Sequence, residues 1–372
     1  MTGLVVLTGG GTGGHIFPMQ AIAEALRDAG VAEDELHYVG SRRGQEAQLL
    51  GDGPFALTLL GGRGIHRSLA PRAIRENVGA LFSLAGAMLR ALHLVRRWRP
   101  LVVVSVGGYA AAAISTAAVI WRRPLVLVDL DAIPSLTHRL LARFATVRCA
   151  AWGVPSSHVV VTGAPVRRDV SELDRSPDAR QRAKAALAAP IDANRRVVVV
   201  MTGSLGAHRV NQAVLELATL WRDRTDLALV HITGRRDFTT VRDASPELSG
   251  LDYRVIEFAN MATWWAVADL AICRAGATTV AELTTLGLPA ILIPLPGAPG
   301  DHQGHNARTL AAVLAAVEVP DSACTAQVLA QQADALLQPD VLREMAAASS
   351  LLAQPDAAAT IARVAIARGK HT

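Results

Sequence analysis

Aromatic residues make up only 4% of these 372 residues, which argues against a stacking platform for single-stranded nucleic acid; no nucleic-acid partner is expected. Cysteine is scarcer still. Cys149, Cys273 and Cys324 stand far apart and form no CxxC pair, so neither a zinc ribbon nor a disulfide framework is indicated, and a reducing compartment is the simple reading. The glycine-rich runs lack a Walker lysine, which excludes a P-loop. The N-terminus lacks a basic n-region and its apolar run stops at Gly9, so it reads as a strand and not as a signal peptide. One stretch lacks charge altogether: 101–121 is about long enough to cross a bilayer. Its opening "LVVVSV" is β-branched, however, and Gly107-Gly108 then breaks it, so strand, turn and Ala-rich helix are expected instead of a span.

Hydrophobic residues make up 51% and charged residues 19%, the composition of a globular protein, and the length implies two domains. The net charge of +5, carried mostly by arginine, permits phosphate, nucleic-acid or membrane partners. Short apolar runs alternate with helical stretches. Strands are expected at 4–8, 35–40, 55–60, 101–106, 124–130 and 158–163, with helices at 18–29 and about 72–97. A polar stretch at 167–196 reads as a linker with a short helix. The opening theme then repeats at 197–218, with further strands at 227–234, 253–258, 269–274 and 290–296. The expected fold is α/β: two doubly wound, Rossmann-like halves, 1–165 and 166–354, with a ligand between them.

Gly9, Gly11 and Gly14 satisfy GxGxxG, but the second strand ends in Gly40-Ser41-Arg42-Arg43 and not in a ribose-binding acid. The two arginines suit a 2′-phosphate, so an NADP-dependent oxidoreductase stays open as a lesser alternative. "CRAGATTVAEL" (273–283) places Gly276, Thr278 and Thr279 where a strand gives way to a helix, whose N-terminus favours a diphosphate; Glu282 lies within reach of a ribose diol, or is simply a surface residue behind a tight turn. "PLPGAPGDHQGHNA" (294–307) offers Asp301, His302, Gln303 and Asn306 after another strand; Asp301 is equally a helix cap. His15, at the rim of the first glycine loop, is the best candidate for a general base, with a loop-orienting histidine as the plainer reading and His302 and Asp301 as weaker candidates.

Six motifs occur in order: "GGGTGGHIFP", "GGY" (107–109), "VTGAPVRRDV" (161–170), "GSLGAHRVN" (203–211), "CRAGATTVAEL" and "GDHQGHNA". Together they resemble the MurG family of N-acetylglucosaminyltransferases of peptidoglycan synthesis, from about residue 4 to about 320. The resemblance implies a GT-B fold with an interdomain cleft. It also implies inverting transfer from UDP-N-acetylglucosamine to lipid I, giving lipid II at the cytoplasmic face of the cell membrane, without a cofactor or metal. It places Thr12, Gly13 and Gly14 near the donor's sugar end and the acceptor diphosphate. Arg167, Ser204, Ala277, Thr278, Thr279, Val280, Ala281, Glu282 and Gln303 fall against the UDP-sugar, and Asp131 among the substrate-binding positions. A C-terminal helix within 355–372 is expected to rejoin the first domain.

The chain departs from the family pattern at Val128-Asp129-Leu130-Asp131, where His-Glu-Gln-Asn is usual, at Ala164 for Asn and at Leu205 for Gln. These changes motivate two variants of the reading, a relative with another acceptor and a silent sugar-nucleotide binder. Asp129 and Asp131 also imitate a DxD metal motif, read mainly as ordinary strand-end residues. Finally, 61–100 carries eight arginines (63, 67, 72, 75, 90, 96, 97 and 99) against the single acid Glu76, around an apolar stripe of Ile74, Val78, Leu81, Phe82, Ala85, Met88, Leu89 and Leu92. That pattern suits an anionic membrane surface, or an amphipathic core helix with a solvated basic face.

Overall fold

Runs such as Val5–Thr8, Val102–Ser105 and Leu125–Asp129 are apolar at every position, with no polar alternation, which suits strands covered on both faces. The computed structural model describes residues 3–51, 53, 55–61 and 71–370, with side chains throughout except at 71–81 and 109. The chain divides into two compact units, Met1–Arg167 with Pro355–Thr372, and Arg168–Gln354.

The first unit holds strands β1 (Val5–Thr8), β2 (Leu36–Ser41), β3 (Ala56–Leu60), β4 (Val102–Ser105), β5 (Leu125–Asp129), β6 (Val147–Ala150) and β7 (Val159–Val161). They form one sheet in the order β3-β2-β1-β4-β5-β6-β7, and every pairing is parallel. The direction of winding reverses between β1 and β4, where Thr8 lies beside Ser105. Such a switch point opens a crevice at the carboxyl ends of the strands. Helix Ala357–Gly369 packs on helix Gly13–Asp28 and on β4, burying Ala357, Ile361, Ala362 and Ala365.

The second unit holds β8 (Arg196–Met201), β9 (Leu227–Ile232), β10 (Asp252–Ile256), β11 (Leu270–Cys273), β12 (Ala290–Leu292) and β13 (Ala316–Glu318) in the parallel order β10-β9-β8-β11-β12-β13. Its switch point lies between β8 and β11, where Cys273 is level with Met201. Each switch point therefore carries two of the glycine-bearing loops.

Two expectations need correction, and a third holds. The first helix begins at Gly13, five residues before the expected Pro18, which lies inside it. The glycines do not delay the helix, because the Gln45 side chain accepts the Gly13 N–H at 3.3 Å and binds its first turn. The polar stretch expected as a linker is anchored to the second unit. Helix Pro177–Ala186 presents Lys184, whose Nζ donates to the carbonyls of Ala193 (3.2 Å) and Arg195 (2.6 Å), and Arg175 donates to Ala268 O at 2.9 Å. Burial pulls the Arg175 guanidinium down to about 10. The uncharged stretch 101–121 folds as β4, a turn and helix Tyr109–Ile120, and no helix among the described residues is long and apolar enough to cross a membrane.

Candidate active site

The first glycine loop joins β1 to helix Gly13–Asp28 at the first switch point. Sequence reasoning took its glycines as room for a ligand. Much of that room is filled from within by Glu46, a fully buried residue that the sequence reading missed. Its Oε1 accepts the N–H of Gly11 at 3.0 Å and of Ser41 at 2.7 Å. A Cβ on Gly10 or Gly44 would overlap its carboxylate, and one on Gly40 would stand 2.7 Å from its Cγ. Oε2 has no hydrogen-bond partner, and neither has the buried Tyr38 hydroxyl, which burial and then the Glu46 charge push far above the ordinary phenol range. This carboxylate lies where a dinucleotide's pyrophosphate would take the loop N–H groups, which weighs against the oxidoreductase alternative.

Thr12 is the N-cap of that helix and is exposed, as is Gly14; its carbonyl accepts the N–H groups of His15 (3.0 Å) and Ile16 (3.2 Å). His15 is half-buried beside the turn after β4, where Gly107 and Gly108 adopt φ of +100° and +97°, a region that favours glycine. A Cβ on Gly108 would lie 2.7 Å from Gly10 O, so the two loops touch through bare backbone. The point where a Gly107 Cβ would sit is 3.8 Å from three polar atoms: His15 Nε2, His138 Nε2 and Ser135 Oγ. Arg167 belongs to this same unit, its guanidinium 4.2 Å over the ring of Phe17, two residues beyond His15.

The DxD reading of Asp129 and Asp131 does not survive the geometry. Asp129 is buried at the end of β5 and already fully engaged: Oδ1 pairs with His138 Nδ1 at 2.7 Å, and Oδ2 accepts Arg148 Nε (3.1 Å) and Nη2 (2.7 Å). Burial pushes its carboxyl up, but His138 and then Arg148 outweigh it and hold it below the ordinary range. Val128 and Leu130 are also buried, so of the altered tetrad only Asp131 is even half-exposed. No cluster of three or more metal-ligating side chains occurs among the described residues.

At the second switch point, the loop after β8 places Ser204 half-buried and Leu205 exposed. Beneath it lies a network around a buried histidine. His231 Nε2 meets Asn211 Oδ1 at 2.9 Å and its Nδ1 meets Tyr253 Oη at 2.8 Å, while Asn211 Nδ2 donates to Thr233 O (3.0 Å) and Asp237 Oδ2 (2.8 Å). Because the amide oxygen only accepts, His231 carries its proton on Nε2. Burial pulls its imidazole down to about 3.

Helix Ala277–Thr285 starts after β11 behind Gly276, which supplies no side-chain cap to its first N–H groups. Those donors and the helix dipole form an anion site. Asn306 Nδ2 fixes the approach by donating to Ala275 O at 3.0 Å. Ala277, Thr278 and Thr279 are half-buried at the helix start, whereas Val280 and Ala281 are buried and turn their side chains into the core. Glu282 is not the surface residue of the plainer reading: it is buried, and its Oε2 accepts the Trp265 indole N–H at 2.8 Å. Gln303 Oε1 accepts Leu295 N–H at 3.0 Å, which orients its amide. Asp301 occupies the next N-cap position and takes Arg308 at 2.7 Å, while His302 Nδ1 donates to Pro299 O at 2.9 Å.

Two parallel α/β units, each with a bare or glycine-lined switch point, are the two halves of a GT-B fold, and the family matches make the chain a glycosyltransferase. Residues 5–148 match the N-terminal domain of glycosyltransferase family 28, and residues 197–361 match its C-terminal domain. The chain is 38% identical to the UDP-N-acetylglucosamine--N-acetylmuramyl-(pentapeptide) pyrophosphoryl-undecaprenol N-acetylglucosamine transferase of Alkalilimnicola ehrlichii, over 98% of this chain and 99% of that one. It is 37% identical to the protein of the same name from Salinibacter ruber, over 98% and 96%. The crystal structure of Acinetobacter baumannii MurG matches with a TM-score of 0.76 at 28% identity, over 98% of this chain and 99% of that one. The chain belongs to the MurG family.

Proposed function

We propose that this protein transfers N-acetylglucosamine from UDP-N-acetylglucosamine to lipid I, giving lipid II for peptidoglycan. The observation that carries the reading is the near-full-length identity of 38% and 37% to two proteins named for that reaction. In this reading the second unit holds the donor. The uncapped N-terminus of helix Ala277–Thr285 takes the diphosphate, Glu282, oriented by Trp265, meets the ribose, and Ser204 and Gln303 line the sugar nucleotide. The first unit holds the acceptor at Thr12, Gly13, Gly14 and Asp131, and carries Arg167 over Phe17.

The chemistry is a displacement with inversion. The acceptor hydroxyl oxygen bonds to the anomeric carbon, the bond from that carbon to the UDP oxygen breaks, and His15 takes the hydroxyl proton. The electron pair leaves on UDP, whose charge the helix dipole and its N–H groups stabilise. The altered tetrad supports the ordinary acceptor more than a changed one, since three of its four residues are buried.

A lipid-linked acceptor also gives the basic helix a purpose. Arg63 and Arg67 lie outside the described residues, as do the side chains of Arg72, Arg75, Glu76, Ile74, Val78 and Leu81. Along the rest of helix Pro71–Trp98 the core side is Ala87, Ala91 and Val95, while Phe82 is 76% and Leu89 69% exposed. Ile120 and Trp121 are exposed as well, with Arg96 5.2 Å over the Trp121 ring. Apolar side chains rimmed by arginine suit peripheral docking on the anionic cytoplasmic leaflet. Sedimentation with anionic vesicles at low salt, lost at high salt, is the expected result; no binding at any salt would remove this part. The test of the whole is UDP release from UDP-N-acetylglucosamine with and without lipid I. Acceptor-dependent release supports the reading, and donor binding without such release overturns it.

A further inference from the structure

Asp237 in the second unit carries a carboxylate that its own helix does not use. It is the N-cap of helix Phe238–Asp243, a position whose aspartate ordinarily accepts N–H groups of the first turn, yet its side chain makes no such bond. It is buried beside the loop that carries Ser204. Its Oδ2 accepts Asn211 Nδ2 at 2.8 Å and Arg236 Nη2 at 3.2 Å, and its Oδ1 accepts Arg236 Nε at 2.9 Å. Arg236 first, and then Asn211, outweigh burial and hold the carboxyl below its ordinary range, so it stays ionised.

The Ser204 loop is a tight turn. Gly206 N–H donates to Gly203 O at 3.0 Å, which puts Ser204 and Leu205 at the tip, and Gly203 and Gly206 adopt φ of +88° and +86°. The turn lies with bare backbone against the segment after β9. A Cβ on Gly234 would stand 2.3 Å from Gly206 N, and one on Gly206 would stand 2.9 Å from Asp237 Oδ2. Hydrogen bonds join the two segments: Arg235 N–H donates to Ser204 O at 3.3 Å, and Arg236 Nη2 donates to Gly206 O at 3.3 Å. Asp237 orients the Arg236 guanidinium for the second of these. Asn211, on helix His208–Leu220 just after the loop, in turn orients Asp237. Its amide is held in that direction because its Oδ1 accepts His231 Nε2 at 2.9 Å.

We propose that Asp237 is a positioning residue for the sugar-nucleotide donor, acting through Arg236 and the Gly203–Gly206 turn to hold the Ser204 hydroxyl in place. The proposal rests on the reading of Ser204 as a donor contact. Two residues at the tip of a turn flanked by glycines have much backbone freedom. With the clamp in place, the hydroxyl is ordered before the donor arrives. Without it, donor binding must order the turn, and affinity falls.

The test is a double-mutant cycle on donor affinity, read by calorimetric titration of the full chain with UDP-N-acetylglucosamine. Ser204→Ala and Asp237→Ala are each expected to weaken binding by about 3- to 10-fold, the range of one hydrogen bond. In the Ser204→Ala background, Asp237→Ala should add less than about twofold, because the hydroxyl it positions is gone. Arg236→Gln, a change at an exposed residue that leaves Asp237 its bond to Asn211, should show the same pattern with a smaller loss. It decides the question if Asp237→Ala does not fold, which denaturant unfolding of each variant establishes. A purely structural carboxylate gives a different result. Folded Asp237→Ala would bind the donor as the wild type does, or would lose the same factor with and without the Ser204 hydroxyl; either outcome overturns the proposal. Failure of the Ser204 reading is distinguishable, since Ser204→Ala alone would then bind as tightly as the wild type, and the proposal would fall with it.

Discussion

The two switch points share a topology and differ in what fills them. In the first unit the loop after β1 is stitched from inside by charged and polar side chains, Glu46 on Gly11 and Gln45 on Gly13, and imidazoles face the turn after β4. In the second unit the helix after β11 starts behind Gly276, which brings no side-chain cap, and the buried support beneath the β8 loop centres on a neutral imidazole, with Asp237 tied to Asn211 and Arg236 at its margin. One α/β scaffold thus supports two different jobs. Bare donors at a helix end suit an anion that arrives with the donor substrate and stays when the sugar leaves. Titratable rings over a glycine turn suit a proton that must move.

The largest expected effect tests that division of labour. His15→Ala should lower acceptor-dependent UDP release by about 10²- to 10⁴-fold, the usual contribution of a positioned base, and leave UDP-N-acetylglucosamine affinity within about twofold. Steady-state kinetics beside calorimetric titration of the donor measure both. A variant that loses donor affinity and turnover together would erase the distinction between the two switch points.

The next effect is on stability. Glu46→Ala removes the acceptor for two part-buried N–H groups and leaves a cavity where a fully buried side chain stood, so unfolding should become easier by about 2–4 kcal/mol. Glu46→Gln keeps a carbonyl oxygen for one or both donors and should cost less. Denaturant unfolding followed at Trp98 or Trp121 of the first unit, and separately at Trp265 of the second in single-tryptophan variants, should show the loss in the first unit. Equal loss in both units would mean that the loop is not locally held by Glu46.

Much of this arrangement could be read from residues in order along the chain. Each glycine-bearing motif follows an apolar run, so its place at a strand end needed only periodicity and punctuation. The helix opening at Ala277 was legible for the same reason. What escaped were contacts between residues distant in sequence. Glu46 sits in "GQEAQLL", a stretch with nothing to mark it as buried, and its partner Gly11 is 35 residues away. The first glycine loop therefore read as a ligand loop, when Gly10, together with Gly40 and Gly44, walls a carboxylate site. Asp129 looked like half of a metal motif because Arg148, 19 residues on, joins it only through the β5–β6 pairing. The plainer surface reading of Glu282 failed in the same way, since Trp265, which binds it, stands 17 residues earlier on another helix.

Acid sharpens the contrast from the side of the second unit. His231 is neutral when folded and titrates at about 3, against 6.5 for an ordinary imidazole. Between those values the unfolded chain binds a proton that the folded one refuses, so stability falls as pH drops through that window, by about 1.4 kcal/mol per pH unit. His231→Asn, which keeps one amide to bond Asn211, should be less stable at neutral pH and flatter between pH 6.5 and 4.5. Chemical denaturation at a series of pH values gives the slopes; equal slopes in both proteins would show that His231 is not the acid-sensitive group.

The smallest effect concerns how the donor side is tuned. Trp265→Phe removes the indole donor from Glu282 Oε2 together with part of a fully buried ring, so affinity is measured on protein shown to be folded. A hydrogen bond to a buried carboxylate is worth about 1.5 kcal/mol, so UDP-N-acetylglucosamine affinity should fall by roughly 10-fold. Acceptor KM should hold, because the acceptor-side imidazoles belong to the other unit. UDP affinity should fall by the same factor, since the ribose is common to both ligands; an unchanged UDP affinity would mean that Glu282 does not meet the ribose and that Trp265 holds it for the fold alone.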